Sequence, residues 1–219
     1  FRWEKRTLPF LRTSEFLWQE GHTAHATAEE AQERTQKMLE IYAEMIEGLL
    51  AVPVFQGEKT PSERFAGAVQ TLSVESMMQD GKAVQTGTSH YMGTKFAEAF
   101  NIRYLNPDNE HVYAYTTSWG VSTRLIGAMI MTHSDDQGLV LPPAVAPQQV
   151  VFIPVGPKKK LPEVLEKVKD LNQALRDRGI RTYVDDSDNS AGYKFNEWEL
   201  RGAALRIEIG PRDIDNQQV

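Results

Sequence analysis

Cysteine is absent from all 219 residues, which removes disulfides, thiolate nucleophiles and cysteine-ligated zinc from this stretch of chain. No run of about 18 apolar residues that could cross a bilayer occurs, and no charged-then-apolar leader opens the sequence. A cytoplasmic protein, away from membranes, is the expectation. Three motifs are missing as well: there is no Gly-x-Gly-x-x-Gly, no P-loop and no His-Glu-x-x-His. That counts against a Rossmann cofactor site, a P-loop NTPase and a zincin. Glycine and proline are few, 15 and 11, which excludes a collagen-like or disordered chain. Positive charge is in deficit: 24 Lys and Arg face 30 Asp and Glu, a net charge of −6. Phosphate neutralisation supplies most non-specific affinity, so an indiscriminate DNA coat is excluded and any nucleic-acid contact must be local.

What remains is a globular composition, 41% apolar and 25% charged, long enough for one large domain or two smaller ones. The acidic excess lies entirely in the first part: up to Ala146 there are 12 basic and 18 acidic residues, and after it 12 of each. The chain opens on Phe1-Arg2-Trp3-Glu4 without an initiator Met and ends on Gln217-Gln218-Val219, so a piece of a longer protein is expected, with chemistry carried by parts not present.

Along the chain, Phe1–Glu4 and Phe10–His25 read as strands joined by a loop around Leu8-Pro9. Thr27-Ala28-Glu29-Glu30 has the form of a capping box, and Met38, Ile41, Tyr42, Met45, Ile46 and Leu49 follow at three- and four-residue steps. A helix from Ala28 to Leu50, stopped before Pro53, follows from that pattern. Alternation at Thr71–Glu75 and the Asp80-Gly81 turn signal predict an antiparallel hairpin into Ala83–Thr86. Next come a short helix at Phe96–Phe100, a strand at Val112–Trp119 and a Leu-, Ile- and Met-rich helix from Gly120 to His133. Proline interrupts Leu141–Pro147 three times, and the domain boundary is expected there, giving domains 1–146 and 147–219. The second part alternates: strand Gln149–Val155, helix Leu161–Arg178 stopped by Gly179, strand Arg181–Val184, helix Phe195–Leu200, strand Leu205–Ile209. A small α/β domain with a largely parallel or mixed sheet is the implied architecture. Lys158-Lys159-Lys160 reads as a solvated loop.

Two groupings could suggest a metal: Glu20, His22 and His25, and His133 with Asp135 and Asp136. The first lies in a strand whose alternating faces separate the rings, and the second follows a helix end, so no metal ligand set is assigned. Three blocks are richer. In Phe1–Glu4 and Phe10–His22, strand alternation puts Arg2 and Glu4 on one face and Trp18, Glu20 and His22 on one face; a surface ion pair and a core tryptophan would serve equally. Around Gly87, in Gln85-Thr86-Gly87-Thr88-Ser89-His90, small hydroxyl residues would let a ligand approach the backbone closely, or mark a turn. In Ser118–Arg124, Arg124 opens an apolar helix where burial without an anionic partner is costly, which fits a bound anion or a core ion pair.

In this order the blocks resemble the class II aminoacyl-tRNA synthetases, and within them the prolyl-tRNA synthetases of the archaeal and eukaryotic-like type. Phe1–Glu4 with Phe10–His22 is similar to motif 2, and Gly120–Arg124 with Leu139-Val140-Leu141-Pro142-Pro143 to motif 3. Glu63–Ala68 and Gln85–His90 resemble the pieces between, and Gly192–Leu200 with Gly210-Pro211-Arg212-Asp213 resembles the family's anticodon-binding domain. The string Phe-Leu-Trp-Gln-Glu-Gly-His with Gly-Thr-Ser-His is the specific part. The implied fold is an antiparallel-sheet catalytic domain, here lacking motif 1, followed by a small α/β anticodon-binding domain.

The resemblance also implies a reaction. Proline's carboxylate attacks the α-phosphate of ATP, with Mg²⁺ on the phosphates, and fixed guanidinium groups suit the charge that gathers there. Arg2 and Arg124 would be the catalytic residues. Arg2 would face the α-phosphate and the proline carboxylate, Glu4 the adenine amino group and Phe16 the adenine ring, with Arg12 and Arg124 on the triphosphate and Gln85, Thr88 and Ser122 along the nucleotide. Trp18, Glu20, His22, Phe65, His90 and Ser118 would form the proline pocket. Such a slot would admit alanine measurably, since a methylene is worth only about 1–3 kcal/mol. Glu199, Arg206, Arg212 and Asp213 would read the anticodon of tRNA(Pro), and the full-length protein would be a homodimer. Val69-Gln70, Ser73 and Ser76 depart from the family pattern, and the Thr-x-Glu loop for the proline amine is not in this chain, so the piece alone is expected to be inactive. The alternative is a paralogue that binds amino acid or RNA without catalysis; three phosphate-facing cations argue against it. A single-strand RNA module would want a basic face, and a threonyl-type enzyme would want zinc-ligating cysteine.

Overall fold

A computed structural model describes residues 3–218 and divides the chain into two compact units, Phe1–Thr132 and His133–Val219. In the first, β1 (Trp18–His25) leads into α1 (Ala28–Leu50), followed by β2 (Phe55–Glu58), β3 (Gln70–Met77), β4 (Ala83–Gly93), α2 (Lys95–Phe100), β5 (Arg103–Leu105), β6 (His111–Tyr113), β7 (Tyr115–Ser122) and α3 (Arg124–His133). Five strands form one antiparallel sheet in the order β1-β7-β4-β3-β2, and β5 with β6 makes a separate small ribbon.

Helix α1 begins as its capping residues dictate: Thr27 Oγ1 accepts from Glu30 N–H at 3.2 Å, while Glu30 Oε2 accepts from Ala26 N–H at 3.2 Å. It ends at Ala51, which takes the left-handed conformation at φ 53°. The face it lays on the sheet is Ala31, Thr35, Leu39, Tyr42, Ala43 and Ile46, a narrower stripe than the apolar spacing predicts. Ile41 is turned out of it and Leu49 sits near the helix end; both are exposed. Small residues let the helix approach the sheet, and there Ser89 Oγ donates to Thr35 O at 2.8 Å. Leu39, Tyr42, Ala43 and Ile46 pack with Val52, Leu72, Val74, Trp119 and Val121.

Three expectations for this unit are corrected. The described residues before β1 form no strand, only a bridge between Leu8 and Arg12; the chain reverses between them, with Phe10 in the left-handed region at φ 58°, and so does not run on as a strand. The strand expected over Val112–Trp119 is broken at Ala114, whose N–H is drawn to Ile102 O at 3.2 Å. Gly120 to Ser122, read as helix, extends β7, because pairing to Glu20 and Trp18 continues to the strand's end. The hairpin at Asp80-Gly81 forms, with Gly81 at φ 78° and Met78 N–H bonded to Lys82 O at 2.9 Å.

The second unit contains β8 (Val150–Pro154), α4 (Leu161–Arg176), β9 (Thr182–Val184), α5 (Ala191–Leu200), β10 (Leu205–Ile209) and α6 (Pro211–Asn216). Its three strands, in the order β10-β8-β9, are all parallel. All of β8 is buried: Val150 and Phe152 pack with Val164 and Val168 of α4, while Val151 and Ile153 pack with Trp198 of α5. Residues 133–146 fall in this unit, ahead of the division expected at Ala146. Leu139 N–H donates to Leu200 O at 3.2 Å, and the Arg181 guanidinium donates to the carbonyls of Pro143, Ala144 and Ala146 at 2.9–3.0 Å.

Candidate active site

Sheet register explains how the first unit gathers polar groups. Residues in cross-strand register share a face, and one row runs His22–Ser118–His90–Thr71 across β1, β7, β4 and β3. The next runs Glu20–Gly120–Thr88–Ser73. The opposite face, carrying Gln19, Gly21, Trp119, Val121 and Ser89, turns to α1. Over the polar face lies a hollow of about 430 Å³, within the range of small-molecule sites. Ten of the sequence-predicted residues line it: Phe16, Trp18, Glu20, Phe65, Gln85, Thr88, His90, Ser118, Ser122 and Arg124.

Of the other four site residues assigned to this unit, the three described ones, Glu4, Arg12 and His22, do not line it. Arg2 lies outside the described residues. Glu4 and Arg12 pair with each other, Arg12 Nε to Glu4 Oε2 at 2.5 Å. With no strand at Trp3–Glu4, the alternation that would set Glu4 on the strand face does not apply. His22, one repeat further along the edge strand than Glu20, is paired with it at 3.3 Å and exposed. Trp18 is 65% exposed and so is no core residue; its ring meets Phe16 edge-on at 5.4 Å.

Two backbone carbonyls orient Arg124: its Nε–H donates to Leu11 O at 3.0 Å and its Nη1–H to Gln85 O at 3.4 Å. Ser122 Oγ accepts the Arg124 N–H at 3.3 Å, at the start of α3. The loop carrying Leu11 is pressed onto the same helix at Gly127, where an added Cβ would stand 2.8 Å from Leu11 and 3.0 Å from Phe10. The guanidinium is thus held half-buried at the hollow's rim before any ligand arrives.

His90 is buried, shares a hydrogen bond with Thr71 Oγ1 at 3.0 Å through Nδ1, and lies 4.8 Å from the Phe65 ring. Thr71 Oγ1 also accepts the Phe65 N–H at 3.1 Å, tying that loop to the sheet. Burial first, and then the charge of Lys59, push the His90 imidazole down to about 4, so it is neutral at ordinary pH. Tyr42 is pushed up to about 12 by burial and by the Glu20 carboxylate; its hydroxyl donates to Gln19 Oε1 at 2.6 Å, joining α1 to β1.

Glycine serves packing here more than ligand approach. A Cβ on Gly87 would touch Tyr42 and Val121 at 3.2 Å, and one on Gly21 would stand 2.3 Å from the Trp119 indole that lies across it. Lys59, Glu63 and Thr71 also line the hollow without having been assigned to it. Glu63 stands in a stretch that the sequence marks, whereas Lys59 carries no local signal.

In the second unit the four candidate residues sit on three elements. Glu199 is exposed on α5 and Arg212 on α6. Arg206 on β10 bonds Glu208 at 2.9 Å and lies 4.5 Å over the Phe195 ring. Asp213 has a local task, its Oδ2 accepting the Gly210 N–H at 2.7 Å at the start of α6. In the same unit, buried Asp185 accepts from Trp198 Nε1 at 2.8 Å and Ser187 Oγ at 2.6 Å, with Lys194 Nζ at 3.6 Å. Burial raises its affinity for a proton, but the bonds from Ser187 and Trp198 and the Lys194 charge prevail and hold the carboxyl below its usual range.

The family model for the tRNA synthetase class II core domain (G, H, P, S and T) matches residues 1–133. The chain belongs to the class II tRNA synthetases. A model of the anticodon-binding domain matches residues 149–219. Among relatives, a proline--tRNA ligase of Symbiobacterium thermophilum is 62% identical over 218 residues, covering 100% of this chain and 45% of that protein. Proline--tRNA ligase 2 of Clostridioides difficile is 56% identical over 218 residues, covering 99% and 45%. Among solved structures, the prolyl-tRNA synthetase of Cryptosporidium parvum, complexed with L-proline and AMP, superposes with a TM-score of 0.92 at 44% identity, covering 98% of this chain and 47% of that one. The chain therefore spans a little under half the length of the relatives it matches.

Proposed function

We propose that the protein to which this class II chain belongs is a proline--tRNA ligase. A carboxylate oxygen of proline forms a bond to the α-phosphorus of ATP, the bond to the bridging oxygen breaks, and pyrophosphate leaves; the resulting prolyl-adenylate then passes its prolyl group to the 3′ end of tRNA(Pro), releasing AMP. What carries the reading is Arg124, a guanidinium preset by two carbonyls beside a hollow of ligand size. A preorganised cation stabilises charge that develops in the transition state without reorganising at the moment of reaction. The Cryptosporidium relative, crystallised with L-proline and AMP, supports the same pair of ligands here.

In this proposal Phe16 stacks on adenine, Gln85, Thr88 and Ser122 follow the nucleotide, and Trp18, Glu20, Phe65, His90 and Ser118 enclose proline, with Arg2 and His22 completing the pocket. Neutral His90 presents no charge to repel the proline ammonium. Glu4 reaches adenine, and Arg12 the triphosphate, once their mutual pair opens. The hydroxyls of Thr88 and Ser122 could serve as neutral oxygen donors to an Mg²⁺ carried by the ATP phosphates, which would supply neutralisation of their charge. Glu199, Arg206, Arg212 and Asp213 contact the anticodon. The full-length protein acts as a cytoplasmic homodimer.

The test is exchange of pyrophosphate into ATP by the full-length protein, surveyed over the twenty amino acids. Proline is expected to drive it best, and Arg124→Ala to remove about 2–4 kcal/mol of transition-state stabilisation, roughly 30- to 1,000-fold in rate. Exchange driven better by another amino acid than by proline, or unchanged in the variant, would overturn the proposal.

A further inference from the structure

Lys59 belongs to no motif, yet the fold commits both its backbone and its side chain. Its N–H donates to Thr71 O at 2.9 Å, carrying the β2–β3 ladder one step beyond the Glu58–Leu72 pair. That places it at the end of the His22–Ser118–His90–Thr71 row. The half-buried side chain reaches over the polar face and donates from Nζ to Gln85 Oε1. An ammonium can only donate, so the oxygen of the Gln85 carboxamide is the atom that meets it. The amide is thereby fixed in one orientation, with its NH₂ directed away from Lys59.

We infer that Lys59 is a positioning residue for the nucleotide: by holding the oxygen of Gln85, it presents the Gln85 amide nitrogen to the hollow as a hydrogen-bond donor for a phosphate oxygen. The inference rests on the nucleotide reading of the hollow. Lys59 acts through Gln85, so its removal leaves the carboxamide free to rotate and weakens ATP more than proline.

The experiment is steady-state exchange kinetics on the full-length protein. Lys59→Met is expected to raise KM for ATP about tenfold, the scale of a hydrogen bond to a charged group, with KM for proline changed by less than about threefold. Lys59→Arg, which keeps a cationic donor, is expected to restore most of the ATP affinity. Because Lys59 works through Gln85, the double variant Lys59→Met, Gln85→Ala is expected to be no worse than Gln85→Ala alone. Should Lys59→Met lower the thermal midpoint, Lys59→Leu, which also lacks a donor, carries the same expectations. Unchanged KM for ATP, equal damage to both substrates, or multiplying losses in the double variant would overturn the inference. An unmodified protein that neither binds ATP nor catalyses exchange would instead overturn the nucleotide reading, a separate outcome.

Discussion

The two units treat their sheets in opposite ways. In the first, one face of the antiparallel sheet packs under α1 and the other is left to hydroxyls, carboxylates and an imidazole; Thr71, Ser73, Thr86, His90 and Ser118 are all buried polar residues of that sheet. In the second, helices pack on both sides of β8, whose five residues are all buried. A sheet with one face kept polar can assemble a hollow from residues far apart in sequence, provided each buried polar group finds a partner. A sheet closed on both faces has no such surface, and its outward chemistry is confined to helix surfaces and strand ends.

If the closed unit depends on its core, the buried Asp185–Lys194 pair is where it should be most fragile. Asp185→Ala would strand the buried Lys194 ammonium and the Trp198 N–H, an expected loss of about 3–5 kcal/mol. Hydrogen exchange should show lost amide protection in β8 and β10 with β3 and β4 unaffected; undisturbed protection in β8 would break the comparison. The same pair makes the unit acid-sensitive, since a carboxyl held below its usual range contributes stability that is lost as pH falls through its folded value.

The open unit should respond to pH in another window. His90 is held down to about 4 against an ordinary 6.5, so between those values the unfolded chain takes up a proton that the folded unit refuses. Stability of the first unit should therefore be full above 6.5 and decline as pH falls toward 4, on the order of 2 kcal/mol once solvent screening is discounted. Denaturant midpoints of the wild type and His90→Gln, compared at pH 7.5 and 5, check this: the extra decline should be absent from the variant. Equal declines would mean that the imidazole is not sequestered.

Much of this architecture can be read from the residues, and the exceptions have physical causes. The Thr27–Glu30 cap, the Gly81 hairpin and the Gly179 stop are local devices, and each acts where its residues stand. Elements that depend on partners are misread: Gly120–Ser122 looks helical by apolar spacing but is held as strand by β1, and Phe10–Leu17 looks like strand but makes isolated backbone bonds, Arg12 to Leu8 and Leu17 O to the Thr123 N–H, rather than a ladder. The site follows the same division. Trp18, Glu20, Thr88, His90, Ser118 and Ser122 converge on one face because strand register brings them there, while Phe16, Phe65 and Arg124 join from the flanking loops and α3. Lys59 reaches the hollow through a ladder contact and a long side chain, neither of which leaves a trace in spacing. Glu4 and Arg12 pair with each other, a pairing hidden by a separation of eight positions in the sequence.

The division of labour between the open and closed sheets is tested most directly by measuring pyrophosphate exchange and tRNA charging side by side in the full-length protein with Glu199→Ala and with Arg124→Ala. Glu199→Ala is expected to weaken charging by about 1 kcal/mol, on the scale of one hydrogen bond, and to leave proline-dependent exchange intact, while Arg124→Ala suppresses both. Equal damage to exchange and charging by Glu199→Ala, or intact exchange in Arg124→Ala, would contradict the account.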